Sequence, residues 1–135
     1  MQETLVGDLV TTPVLTVNTE ESAADVGHAL RDRNIKSVVA TDEDCRPSGI
    51  IPSTDFVAMA ADDRTPSETE VGEYMTTDIV TTTPSEPLPE VAERMRDSDV
   101  SHLPVVGDEG RVIGILSATD LTESLSKAAA TAGDA

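Results

Sequence analysis

A mixed α/β (α+β) fold, made of two β-α-β-β-α repeats packed as a pseudo-twofold pair, is predicted by three observations. The first is self-similarity. A shift of 65 positions superposes Val6 to Val57 on Val71 to Thr122 without a gap, and about 14 of the 52 pairs are identical. The second is that both copies show the same order of signals: short strand, helix, strand, tight turn, strand, helix. The third is size, since a unit of about 40 to 60 residues buries too little apolar surface to stand alone and two must pack together. The boundaries read as repeat 1 over 1–62, a linker over 63–70, repeat 2 over 71–128 and a flexible tail over 129–135.

In repeat 1, Val14 to Val17 is a brief extended run. Thr19 then stands where a helix cap belongs, with Glu20 and Glu21 placed against the positive end of the helix dipole. Ala23, Val26 and Leu30 recur at helical spacing as a buried stripe, Arg31, Asp32 and Arg33 point outward, and Asn34 ends the helix. Val38 to Ala40 and Gly49 to Ile51 flank the turn-rich stretch Asp42 to Pro47, which predicts a hairpin. In repeat 2, Leu88, Val91 and Met95 form the helix stripe, Leu103 to Val106 and Val112 to Leu116 the strands, and Gly107 to Gly110 the turn. Asp62 to Glu68 is polar and holds a Pro, as a linker does, and the segment from Ala128 has little to bury and is expected to fray. Sheet faces left open by the helices supply the packing surface, and the seam creates two related clefts.

Composition narrows the function. The 135 residues carry 26 acids against 9 bases, a formal charge of -17, with 38% apolar residues, one Phe, one Tyr and no Trp. Leu, Ile, Val and Phe number 31, enough for an aliphatic core. Such an excess of acid repels polyanions, so nucleic acid and anionic membrane are excluded as partners. Self-repulsion fades at about 1 M salt, where the Debye length is about 3 Å, so the composition is that of a salt-rich, halophilic cytoplasm. Only short apolar runs occur and no Lys/Arg-rich leader stands at the start, so a cytoplasmic location is expected.

Cys45 is the only cysteine, and His28 and His102 lie 74 positions apart, which argues against an internal disulfide and against a transition-metal site. No phosphate-binding Gly-Lys loop, nucleophile elbow or zinc-binding His-Glu-x-x-His helix occurs, so no catalytic residue is assigned and the chain is read as a non-enzyme that requires no cofactor. His28 receives no role. The segment from Gly114 to Asp120 puts Ser117 and Asp120 three residues apart at a strand-to-helix junction. Helix N-terminal amides favour a phosphate there, and a carboxylate one turn on can accept from the two hydroxyls of a ribose. Ser-x-x-Asp is equally a capping box that does no more than start a helix. Asp55 recurs at the equivalent place in repeat 1, where Ser117 is replaced by Pro52, which can neither cap nor donate.

The two lead-ins, Val6 to Thr11 and Val71 to Thr76, the segment Val100 to Val106 and the two Gly-to-Asp segments together resemble the cystathionine beta-synthase (CBS) domain in tandem, a Bateman module, here as a stand-alone protein. The similarity runs from Val6 to about Lys127. It implies a regulatory module that binds an adenosine derivative, AMP, ADP, ATP or S-adenosylmethionine, in clefts between repeats. Carried over position by position, it makes Asp120 the ribose carboxylate and Ser117 the hydroxyl beside it, with Thr119 and His102. Asp8, Pro13, Val14, Ile35, Lys36 and Ser37 form the facing wall, with Val14 and Ile35 sandwiching the adenine and Lys36 near a phosphate. In the second cleft Asp55 takes the ribose role opposite Glu73, Asp78, Ile79, Val100, Ser101 and His102. Pro52 and the acids at Glu73 and Asp78 make this second cleft the weaker or empty one. The resemblance also implies a homodimer, formed by helix faces around Ala58 to Ala61 and Leu121 to Leu125, and a partner enzyme or transporter. The alternative is a module that only dimerises or docks, with both clefts empty.

Overall fold

A computed structural model describes residues 4–10 and 14–133. Repeat 1 contains β1 (Thr16–Val17), α1 (Ala23–Arg33), β2 (Ser37–Thr41), β3 (Pro47–Pro52) and α2 (Thr54–Ala61). Repeat 2 contains α3 (Leu88–Ser98), β4 (His102–Val106), β5 (Val112–Ser117) and α4 (Ala118–Gly133). In one sheet β1 runs parallel to β2 and β2 antiparallel to β3, and in the other β4 pairs antiparallel with β5. The counterpart of β1 in repeat 2 shrinks to a single parallel bridge, Thr82 to Val105, which is 65 positions on from the Val17 to Ala40 pair.

The expected helix stripes are buried: Ala23, Val26 and Leu30 in one core, Leu88, Val91 and Met95 in the other. Asn34 and Asp99 end α1 and α3 in the left-handed conformation, at φ 53° and 54°, which Asn and Asp tolerate better than most residues. The start of α1 differs from expectation. Ser22, not Thr19, caps it by accepting from the Asp25 amide at 3.1 Å, and Glu20 and Glu21 precede the helix. The reason is that the Thr19 and Glu21 carbonyls are already engaged by repeat 2. The extended run also contracts from Val14–Val17 to Thr16–Val17.

That engagement is reciprocal. Val71 and Gly72 of the second lead-in donate to the Glu21 and Thr19 carbonyls, both at 2.9 Å, and Ala23 donates back to Thr69 at 2.8 Å. Shifted by 65 residues, Val6 and Gly7 donate to Glu86 and Pro84 at 3.0 and 2.9 Å, and Leu88 donates back to Thr4 at 3.1 Å. Each lead-in forms a short 3-10 turn, Val6–Asp8 or Val71–Glu73. Its valine is fully buried in the core of the opposite repeat, Val6 with Leu88, Leu103 and Leu116, Val71 with Val26, Val38 and Ile51. A Cβ on Gly72 would lie 2.8 Å from the Thr19 carbonyl oxygen, so the approach requires glycine there.

The repeats also meet along their sheets. Ile50 and Thr76 exchange two backbone hydrogen bonds of 2.9 Å, and at the hairpin tips Val112 donates to Cys45 while Arg46 Nε donates to the Glu109 carbonyl. The segment 63–70 is an ordered part of the fold: Pro66–Glu68 is a 3-10 turn and Thr69 is buried, its hydroxyl donating to the Thr65 carbonyl. The backbone of α4 stays helical to Gly133, through most of the segment expected to fray.

Repeat 2 has a polar anchor that repeat 1 lacks. Arg94 grips Glu86 through both guanidinium amines, Thr82 Oγ1 and the Thr83 amide also donate to that carboxylate, and the Glu86 carbonyl receives Val6. The Arg94 contact, chiefly, holds the Glu86 carboxyl down at about 2. A depressed carboxylate stabilises the fold above its unfolded value of about 4.5, and that contribution is lost as pH falls towards 2. Glu86→Gln is therefore expected to lower stability by about 1–2 kcal/mol at pH 7. In urea melts at fixed salt, the gap between wild type and variant should close between pH 4.5 and 2. A gap that does not change with pH would contradict the assignment.

Candidate functional site: the clefts between the repeats

Both candidate carboxylates sit where a strand of the seam hands over to a helix. At the β5–α4 junction Ser117 Oγ accepts from the Asp120 amide at 3.1 Å, so this pair does cap α4. The cap uses Oγ only as an acceptor, which leaves its O–H free to donate. Ser117 lies opposite His102 in the β4–β5 ladder, and the Ala118 amide donates to the Ser101 carbonyl at 2.8 Å. The β3–α2 junction is arranged alike, with Pro52 opposite Ser37 and the Ser53 amide donating to the Lys36 carbonyl at 2.7 Å. Pro52 removes the hydroxyl, and α2 starts with no side-chain cap.

A cavity of about 140 Å³, here the Asp55 cavity after the residue three positions beyond its wall residue Pro52, opens at the seam. Its apolar wall is Ile50, Pro52, Ile79, Val80 and Val100. Its polar wall is Thr76, Asp78, Asp99, Ser101 and His102. Repeat 1 and repeat 2 both contribute, and the Ile50–Thr76 hydrogen bonds hold the two walls together. Three residues beyond Pro52, in the first turn of α2, Asp55 buries Oδ2 without a hydrogen-bond partner, the one such side-chain atom among the described residues. Burial pushes its carboxyl above the usual Asp range. A buried acceptor with nothing donating to it is unfavourable unless a donor arrives.

His102 touches both arrangements. It lines the Asp55 cavity, and its ring lies within the electrostatic reach of Asp120 and Lys36. Burial lowers its affinity for a proton, Asp120 opposes that, and Lys36 adds to it. Its Nδ1 lies 3.3 Å from the Ser101 hydroxyl.

Of the residues expected to line the Asp120 cleft, Ser117, Asp120, His102 and Lys36 gather at the seam. Thr119 is exposed on the first turn of α4, Val14 and Ile35 are half-buried, and Ser37 is buried at the start of β2. Pro13 lies outside the described residues. Asp8 has a local partner: its carboxylate accepts from the Leu5 amide at 2.9 Å and closes the first lead-in turn. Glu73 does the same for Glu70 and pairs with Arg64 at 2.7 Å, so this acid is committed to the second lead-in. Of the other expected second-cleft residues, Asp78, Ile79, Val100 and Ser101 do line the cavity. Thr76, Val80, Ile50 and Asp99 join them, and the sequence reading missed these four. Among the described residues no cluster of three or more His, Cys, Asp or Glu could hold a metal, and no helix is long and apolar enough to cross a membrane.

Two repeats exchanging their lead-ins around a seam with paired strand-to-helix carboxylates define a tandem-repeat architecture. The family model for the CBS domain matches residues 6–62 and 71–127, and the chain belongs to the CBS domain family. The CBS domain pair of protein MJ0100, in complex with 5′-methylthioadenosine and S-adenosyl-L-methionine, superposes with a TM-score of 0.84 at 29% identity, covering 93% of this chain and 98% of that one. The cytosolic domain of the Mg2+ channel MgtE in complex with ATP superposes at 0.75 with 28% identity, covering 91% of this chain and 49% of that one. In sequence, the chain is 28% identical to an uncharacterized protein of Methanopyrus kandleri over 91% of its own length and 63% of that protein's. It is 32% identical to the L-aspartate semialdehyde sulfurtransferase of Methanocaldococcus jannaschii over 88% of its length, but spans only 23% of that enzyme.

An unpartnered carboxylate weakens the empty fold. Because the folded value of Asp55 is raised, its contribution becomes unfavourable as pH rises through and above its ordinary 3.8. Asp55→Asn is thus expected to raise the melting temperature of the ligand-free protein at pH 7, with the difference vanishing near pH 3. Differential scanning calorimetry at the two pH values checks this, and a variant less stable than wild type at pH 7 would contradict it.

Proposed function

We propose that this chain is a regulatory module, without catalytic activity of its own, that binds an adenosine derivative such as AMP, ADP, ATP or S-adenosylmethionine in the clefts between its repeats. The observation that carries the reading is a cavity walled by both repeats, with the buried, unpartnered Asp55 Oδ2 belonging to the residue three positions beyond its wall residue Pro52. Ribose hydroxyls are the donors that such a carboxylate lacks, and the apolar wall suits a base. The adenosyl ligands of the MJ0100 pair and of the MgtE domain support the same class of ligand here. Asp120, Ser117, Lys36 and His102 form the corresponding Asp120 site, where Lys36 supplies a cation for a phosphate.

Regulation requires that occupancy bias one arrangement of the seam over another and that a partner read the difference. The sulfurtransferase and the channel, in which the matching region is a fraction of the whole, support an enzyme or transporter as that partner. A second copy is the proposed occupant of the helical faces. Ala92, Met95, Leu121 and Leu125 line an open groove of about 560 Å³ between α3 and α4, and Val57 on α2 is 69% exposed. The acid excess fits work in a salt-rich cytoplasm, where screening lets an anionic nucleotide approach.

The second reading is a module that only docks or dimerises. It is favoured by Pro52 and by the surplus of acid, and disfavoured by the Ser117/Asp120 pair. Isothermal titration of AMP, ATP and S-adenosylmethionine into wild type, Asp120→Ala and Asp55→Asn separates the two. Binding by wild type, weakened about tenfold or more in at least one variant, is expected from the loss of a charge-assisted contact. Nucleotide affinity should rise with salt until screening is complete. Absence of heat in wild type, or unchanged affinity in both variants, would leave only the docking module. Sedimentation of the same samples should report a dimer, and a monomer in Val57→Glu would place its interface on α2.

A further inference from the structure

The two clefts differ in charge, and the difference bears on which ligand each accepts. Among the described residues lining the Asp55 cavity there is no Lys or Arg, but there are two carboxylates, Asp78 and Asp99. Asp99 ends α3 in the left-handed conformation, and both Asp78 and Asp99 are exposed. The junction that would otherwise greet a phosphate lacks its hydroxyl, since Pro52 stands where Ser117 stands in the other repeat, and α2 starts with no side-chain cap. His102, the one described wall residue able to become a cation, is kept towards its neutral form mainly by burial, which Asp120 opposes and Lys36 reinforces. Neither Lys36 nor Asp55 is itself among the described lining residues, but Asp55 follows the wall residue Pro52 by three positions, with its buried Oδ2 lacking a donor.

We infer that the Asp55 cleft selects adenosyl compounds whose 5′ group is neutral or cationic, a free hydroxyl, thioether or sulfonium, and rejects 5′-phosphates. This rests on the functional reading above and assigns a substrate class to one of its two sites. The ribose contact at Asp55 is common to all adenosyl ligands and gives affinity without choice. Selection comes from Asp78 and Asp99, since placing like charges together is costly even where opposite charges contribute little. The Asp120 cleft, with Lys36 and the free Ser117 O–H, carries no such bar.

Asp120→Ala confines binding to the Asp55 cleft, so the test is titration of that variant with S-adenosylmethionine, adenosine, AMP and ATP at low and at about 1 M salt. Expected is binding of S-adenosylmethionine and adenosine at least about tenfold tighter than AMP at low salt, with the gap narrowing at high salt. Adding Asp78→Lys, an exposed position that leaves the core intact, should raise AMP affinity and lower that of S-adenosylmethionine. AMP bound as tightly as adenosine in Asp120→Ala, or a ratio unmoved by Asp78→Lys, overturns the inference. So does a protein that binds AMP as wild type but no adenosyl compound as Asp120→Ala, which leaves the functional reading standing. Failure of wild type to bind any of the four overturns both.

Discussion

Each repeat lacks one side of its own core, and the other repeat supplies it. Val6 and Val71 are fully buried in cores made by the opposite half, and full burial of a valine is worth about 1.5–3 kcal/mol. Six backbone hydrogen bonds, three per exchange and related by the 65-residue shift, fix these valines in register. The clefts depend on this exchange. The second lead-in leads directly to Thr76, whose two hydrogen bonds to Ile50 bring Asp78 and Ile79 against Pro52, so the cavity exists only where the crossing has been made.

Charge is distributed in a way that the overall value of -17 conceals. Several acids have local work: Asp8 and Glu73 close the lead-in turns, and Glu86 ties α3 to the loop before it. Asp78 and Asp99 line one cavity, and Asp55, whose buried Oδ2 has no partner, follows its wall residue Pro52 by three positions. A surface repelling anions everywhere would be indifferent to which cleft they approach. The separation of Lys36 and Ser117 from the Asp55 lining makes the two clefts unlike, although the backbone around them follows one plan.

Much of this was legible in the residues. Helical spacing in Ala23, Val26 and Leu30 and in Leu88, Val91 and Met95 fixed the buried faces, and Asn34 marked a left-handed helix end. Pro52 announced a helix start without a cap. What failed was whatever depended on contacts between the halves. Thr19 reads as a cap in isolation, but its carbonyl is drawn to Gly72, which moves the start of α1 to Ala23. The resemblance implied cleft roles for Asp8 and Glu73, whereas their carboxylates turn back on amides three residues earlier. Thr69 reads as linker, yet its carbonyl receives Ala23 and its side chain is buried. A one-dimensional pattern reports which face of an element is apolar, but not which half of the molecule will cover it.

The reciprocal exchange is tested most directly by native-state hydrogen exchange at the amides of Val6, Gly7, Val71 and Gly72, each of which donates across the seam. If the lead-ins complete the two cores, these four should exchange only through global unfolding, with the same protection as Val38 and Leu103 in the buried strands. Exchange through a local opening, orders of magnitude faster than in those strands, would show that each half stands without the other and would remove the physical basis of the clefts.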